Sequence, residues 1–292
     1  MERLSEWLGV FLQDGKARGL SPRTLAFYRE GVNSMLRIVG DKRAQDLAPS
    51  DLRAFLARSH EEGLSPGGVV ARYRAVRAFV RWLVREGVLE HDPTARIRPP
   101  KAPPPDLAVV RPGEIRRMLL AADGGRHPFR DKAILLLLWD TAARIGEIVG
   151  LRLEDFRPEG IRVRRKGGAY QVLPISPPTR RAVWAYLRNE RPESPSDALF
   201  LSATGRPISS DAVRQMLRRL ARAAGVPYKS PHAFRRGAAV VMVKNGINPY
   251  ALQVLMGHKS PAMTAHYVRL AEKDLKEIHA KVAPALGLLR DI

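Results

Sequence analysis

The chain has 292 residues, 45% of them hydrophobic, enough to bury one large core or two modest ones and too apolar for a disordered protein. Its formal charge of +21 and pI near 11.0 imply a polyanionic partner, nucleic acid being the natural one, although charge alone does not separate DNA from RNA or from a ribosomal-type basic surface. Cysteine is absent, which excludes disulfides, thiolate catalysis and Cys-based zinc sites.

Through Lys101 there are 18 basic and 12 acidic residues, and after it 32 against 17, so both halves are positive and neither is a mere basic tail. The first half reads as four helices: Leu4 to Arg18, a second opened by Ser21-Pro22 and running through Arg37, Ala48 to Arg58, and one opened by Ser65-Pro66 and running to Glu86. In the last, Val69, Tyr73, Val76, Val80 and Leu83 recur at helical spacing as a core face, while Arg74, Arg77, Arg81 and Arg85 form a separate stripe that suits phosphates and equally suits water. Arg98 to Pro105 holds five prolines in eight residues, which no helix survives, and marks an interdomain linker.

Beyond it, Pro112 to Ala122 and Asp131 to Trp139 read as helices, with Thr141 to Gly150 continuing as a third. Ile161 to Ile175 is strand-like around a Lys166-Gly167-Gly168 turn. Helices are expected again at Pro178 to Asn189, Ser210 to Ala224, Pro231 to Asn245, Pro249 to Met256, Pro261 to Tyr267 and Ala271 to Val282. Met1 to Gly9 lacks the pattern of a secretory signal, and the longest apolar run, Ala133 to Trp139, is too short to span a bilayer. A cytoplasmic protein with no membrane partner is expected.

Three late helix starts, Ser230-Pro231, Asn248-Pro249 and Ser260-Pro261, each set a capping residue before a first-turn proline. On the first, His232 and Arg235 are three apart and share a face near an anion-favouring N-terminus. Gly257 is placed to end a helix in the left-handed conformation and turn His258 outward, with Tyr267 nine residues on. Upstream, Arg144 and Glu147 are expected on one helix face, and Lys166 at a hairpin turn. Singly, each has an ordinary structural explanation: a core tyrosine, an ion pair, an exposed turn cation.

In this order the residues resemble the tyrosine recombinase, or phage integrase, family. The resemblance is carried by Thr141-Ala-Ala-Arg144-Ile-Gly-Glu147, Lys166 with Pro174, His232-Ala-Phe-Arg235, Gly257-His258 and Tyr267, and more loosely by Leu20-Ser21-Pro22-Arg23-Thr24 with Tyr28. The family usually has Gly where Ala142 stands, His where Arg236 stands, and a hairpin richer in Lys than Ala169 to Gln171. The resemblance implies a mainly α fold with a small β-sheet in the catalytic domain. The layout would be a two-domain DNA clamp: a helical, SAM-like core-binding domain over residues 1–98, a Pro-rich linker over 99–107 and a catalytic domain over 108–292.

It further implies a site-specific recombinase in which Tyr267 attacks a DNA phosphate. Arg144 and Arg235 would clamp the non-bridging oxygens, His258 would add a hydrogen bond, and Glu147 would orient its neighbours. His232 would act as base, and Lys166 would protonate the leaving 5′-oxygen. Arg236 and the α-helical arginine stripe are candidate DNA contacts. No metal or cofactor is expected, because guanidiniums neutralise the phosphate and His232, His258 and His266 lack a metal-ligand spacing. Expected partners are double-stranded DNA, a homo- or hetero-tetramer on it, and an accessory recombinase or regulatory protein. The size is similar to Xer-type enzymes, which resolve chromosome dimers, and to small phage, plasmid and transposon integrases. A type IB-like topoisomerase and a catalytically silent DNA-binding scaffold are the alternatives.

Overall fold

Eight of the eleven helices among the described residues begin with proline, whose missing N–H falls where a helix has no acceptor for it anyway. The computed structural model describes residues 2–100, 108–165, 167–257 and 260. Lys166, His258, Tyr267, residues 101–107 of the expected linker, and the expected helices Pro261 to Tyr267 and Ala271 to Val282 lie outside them. The chain divides into two compact units, Met1–Asp106 and Leu107–Ile292.

The first unit is α1 (Leu4–Ala17), α2 (Pro22–Val39), α3 (Pro49–Glu61) and α4 (Pro66–Arg85). Ser21 and Ser65 cap α2 and α4 by accepting from the amides of Thr24 (3.1 Å) and Gly68 (3.2 Å). The expected core face of α4 is buried throughout, Val69, Tyr73, Val76, Val80 and Leu83 being no more than 1% exposed. Helices α2 and α4 approach closely because Gly31 has no side chain; a Cβ there would lie 2.4 Å from that of Ala75.

The second unit contains α5 (Pro112–Asp123), α6 (Pro128–Thr141), α7 (Ile145–Val149), the strands β1 (Phe156–Arg157), β2 (Gly160–Arg164) and β3 (Tyr170–Leu173), then α8 (Pro177–Asn189), α9 (Ser210–Ala223), α10 (Pro231–Lys244) and α11 (Pro249–Met256). The strands form one antiparallel sheet in the order β1-β2-β3, with Ile161 opposite Leu173 and Val163 opposite Gln171. Helix α6 is apolar all round from Ala133 to Trp139 and sits in the core, against α5, α8 and α10.

Two local expectations are corrected. Thr141 to Gly150 is not one helix: Thr141 turns its hydroxyl back onto the Leu137 carbonyl (2.7 Å) and accepts from the Ala143 amide (3.2 Å). This offers the backbone an alternative to the helix ladder. Ala142 then takes a left-handed conformation (φ 51°), and helix resumes only at Ile145. Helix α6 also starts earlier than expected, at Pro128, because Glu190, the residue that follows α8, accepts from the amides of Phe129 (2.7 Å) and Arg130 (3.3 Å).

Residues 108–110 are stitched to the region of α10. The Val110 amide donates to Ala233 O (3.2 Å), Lys229 Nζ donates to Val109 O (2.8 Å), and Arg236 donates from Nε and Nη2 to Ala108 O (3.1 and 2.7 Å). Gly237 permits this, since a Cβ there would sit 2.2 Å from Val110 O and 2.9 Å from Trp139. Gly237→Ala is therefore expected to destabilise by about 1–3 kcal/mol through overpacking. Gly9→Ala, on an exposed helical position with nothing within 4 Å, is expected to stabilise by up to about 1 kcal/mol. Urea unfolding of the two variants against the parent checks the opposite signs.

Candidate active site

Arg144 is the residue before α7 and not, as expected, a member of a helix face shared with Glu147. Its backbone is extended (φ −72°, ψ 145°), and Glu147 reaches back from the third helical position to accept from its amide at 2.8 Å. The other Glu147 oxygen accepts from Arg144 Nη1 at 2.9 Å, and Arg165 Nη1 donates to the carboxylate at 2.8 Å. Burial by itself would raise this carboxyl's pKa. The Arg144 amide and the two guanidiniums outweigh it and hold the group below the usual carboxylate range, so Glu147 is a buried anion.

The end of α11 is built by side chains from elsewhere. A helix leaves its last carbonyls without amide partners. Here Gln171 Nε2 donates to Val254 O (3.0 Å), Arg165 Nη2 to Leu255 O, and Arg235 Nη2 to Met256 O. Arg235, 5% exposed, also donates from Nη1 to Ala142 O at 2.7 Å, so one guanidinium spans the C-terminal ends of α6 and α11. Gly257 adopts the expected left-handed conformation (φ 61°, ψ 46°), and a Cβ there would meet Arg165 Nε at 3.2 Å.

His232 lies on the exposed side of the first turn of α10. Partial desolvation, and then the nearby charges of Arg235, Arg236 and Arg144, lower its pKa and keep the ring neutral at pH 7. The helix lacks the side-chain cap expected at Ser230, whose carbonyl instead accepts from Ala233 N at 2.8 Å, whereas Asn248 does cap α11 through the Tyr250 amide (2.8 Å).

Four of the seven expected catalytic residues, Arg144, Glu147, His232 and Arg235, are thus described and brought together. Lys166, His258 and Tyr267 lie outside the described residues, though Arg165 and Gly257 immediately precede the first two. Of the expected DNA contacts, Arg74, Arg81 and Arg85 are exposed on α4, with Asp92 and Glu86 only loosely paired to the latter two (3.5 and 3.9 Å). Arg77 is half-buried, and Arg236 is engaged with the Ala108 carbonyl. Among the described residues no cluster of three His, Asp or Glu suits a metal ion, and no helix is long and apolar enough to cross a membrane.

Arg165 was not singled out from the sequence, where it stands in the strand-like stretch just before the Lys166-Gly167-Gly168 turn. The signal was present nonetheless: strand alternation from Ile161 and Val163 makes 165 the next inward position.

Comparison with known proteins gives the family. Residues 108–274 match the phage integrase family, and residues 11–87 match the phage integrase N-terminal SAM-like domain. Tyrosine recombinase XerC of Mycobacterium tuberculosis (strain ATCC 25177 / H37Ra) is 31% identical over 280 residues, covering 91% of this chain and 94% of that protein. XerC of Roseiflexus castenholzii is 30% identical, covering 96% and 94%, and XerD of Halalkalibacterium halodurans is 29% identical, covering 97% and 99%. Among solved structures, a lambda integrase (75-356) dimer bound to a COC′ core site superposes with a TM-score of 0.77 at 20% identity, over 91% of this chain and 95% of that one. XerA recombinase gives 0.54 at 24% identity, over 96% and 99%. At such identities the structures speak to fold alone, which is mostly helical with one small antiparallel sheet, as the sequence led us to expect. Matched in both of its family domains and along most of its length by curated relatives, the chain belongs to the phage integrase family, the tyrosine site-specific recombinases.

Proposed function

We propose that this recombinase cuts and rejoins double-stranded DNA through a 3′-phosphotyrosyl bond at Tyr267. One observation carries the reading: the pair Arg144 and Glu147 and the pair His232 and Arg235, far from each other in sequence, are built into one neighbourhood, with Arg235 bonded two residues from Arg144 and the Arg144 charge acting on His232. In the proposed step the Tyr267 oxygen bonds to phosphorus while the bond from phosphorus to the 5′-oxygen breaks. Arg144 and Arg235 hold the non-bridging oxygens with always-charged forks, and His258 adds a hydrogen bond. His232, neutral at rest, takes the phenolic proton, and Lys166 gives one to the departing oxygen. Glu147 keeps Arg144 in position. Rejoining runs the step backwards with another 5′-hydroxyl and needs no ATP.

Residues 1–98 act as the core-binding domain, 99–107 as linker and 108–292 as the catalytic domain. Exposed Arg74, Arg81 and Arg85 contact phosphates, with Arg77 and Arg236 contributing fewer donors. Assembly as a homo- or hetero-tetramer on DNA is supported by the lambda integrase tetramer bound to a Holliday junction, a structure of similar fold (TM-score 0.76). An accessory recombinase or regulatory protein belongs to the same reading.

Sequencing genomic DNA fragments that stay attached to denatured protein identifies the site, and nicked duplexes carrying it then trap the adduct. An adduct that forms in chelator and disappears in Tyr267→Phe is the expected result; an undiminished adduct in that variant overturns Tyr267 as nucleophile. Arg235→Ala or Arg144→Ala is expected to slow adduct formation by about 10²–10³, as for loss of one oxyanion-hole donor.

The lowered pKa of His232 sets a pH dependence. A neutral base works above its pKa, so the second-order rate of adduct formation should stay level down to the ordinary histidine value of 6.5 and fall only at more acid pH. His232→Asn should lower the rate and remove that acid limb. An unchanged limb in the variant assigns it to another group.

A further inference from the structure

Arg165 occupies a position where a strand normally places an apolar side chain. Ile161 and Val163 are 0% and 1% exposed on one face of β2, Arg162 and Arg164 point to the other face, and Arg165 follows on the inward side with its own side chain only 10% exposed. An inward guanidinium is costly unless its donors are met. They are met from three separate segments: Nη1 by Glu147 on α7 (2.8 Å), Nε by Gln171 Oε1 across the hairpin (2.9 Å), and Nη2 by Leu255 O at the end of α11. Gln171, on the same face of the sheet, adds its own bond to Val254 O. Partners lying in three directions need a rigid fork, which a lysine does not offer.

The chain just beyond this anchor is permissive. Gly167 and Gly168 have φ of 107° and 91°, and the turn is closed by two backbone bonds, Arg165 N to Ala169 O (2.8 Å) and Gly168 N to Arg165 O (3.0 Å). Both involve Arg165. A reacting group displaced by an ångström can lose about 10²-fold in rate, so a lysine followed in sequence by two glycines needs a fixed base.

We propose that Arg165 is a positioning residue for proton delivery to the leaving group: it locks the β2–β3 hairpin to α7 and to the end of α11, fixing the backbone from which the next residue, Lys166, acts. This rests on the reading of Lys166 as the general acid. The same anchor joins the hairpin to the carboxylate that holds Arg144, so acid and phosphate clamp share one frame.

A substrate whose bridging 5′-oxygen is replaced by sulfur tests the proposal. When the bond from phosphorus to sulfur breaks, the thiolate leaves without a proton, because a thiol is far more acidic than an alcohol. Arg165→Ala and Lys166→Ala are compared with the parent full-length protein on nicked duplexes carrying the crossover site, with oxygen or sulfur at the scissile bridge. Both are expected to lose about 10²-fold on oxygen, the usual scale of a general acid, and to recover to within about tenfold of the parent on sulfur. Gln171→Ala is expected to show a smaller loss with the same recovery. If Arg165→Ala melts below the assay temperature, Arg165→Lys carries the comparison, keeping charge beside Glu147 without the three-way fork. A deficit equal on both substrates, or no deficit, in the Arg165 variant while sulfur rescues Lys166→Ala overturns the role of Arg165 alone. Failure of sulfur to rescue Lys166→Ala overturns the reading of Lys166, and the proposal with it.

Discussion

The last turn of α11 presents the carbonyls of Val254, Leu255 and Met256, the first of them already met by the Gly257 amide (2.9 Å), and Gln171, Arg165 and Arg235 donate to them in turn. Two of these side chains come from the hairpin and the third from α10, so three elements distant in sequence meet at one helix end. The negative end of the helix dipole favours the two guanidiniums there, and partial burial strengthens the interaction over its value in water. Gly257, which closes this turn, immediately precedes His258 in the sequence.

Glu147 is the counterweight in this basic environment. A single carboxylate, 6% exposed at its side chain, faces Arg144 on one side and Arg165 on the other. Removing one member of such a buried group generally costs about 3–5 kcal/mol, because the remaining charges lose their partner. The arrangement is therefore less a contribution to stability than a way of giving two arginines one allowed geometry each. The left-handed Ala142 belongs to the same design: by ending α6 there, the chain aims a carbonyl at Arg235 and delivers Arg144 as an N-terminal flank with its side chain 35% exposed.

Much of this was legible in the residues. Ser21-Pro22, Ser65-Pro66 and Asn248-Pro249 announced helices that begin where expected, since both the cap and the proline act locally. His232 and Arg235 were correctly placed near one helix start, but spacing could not say that one would be exposed and the other buried across two helix ends. The break after Thr141 was missed because it depends on a hydroxyl choosing its own helix's carbonyl. The early start of α6 was missed because its cap, Glu190, arrives from just beyond α8, some 60 residues on. Arg165 was missed for another reason: in a chain with 50 basic residues, one more arginine beside a lysine attracts no attention until its neighbours on the strand are seen to be buried.

The stitching of residues 108–110 has a mechanical meaning. Ala108, Val109 and Val110 are held respectively by Arg236, Lys229 and the backbone of Ala233, all on or just before the helix that carries His232 and Arg235. Tension pulled along the chain into the second unit therefore reaches α10 directly through these bonds, as well as the core through the buried Val110. The first described residues of the second unit are thus tied off within one helical turn of His232 and Arg235.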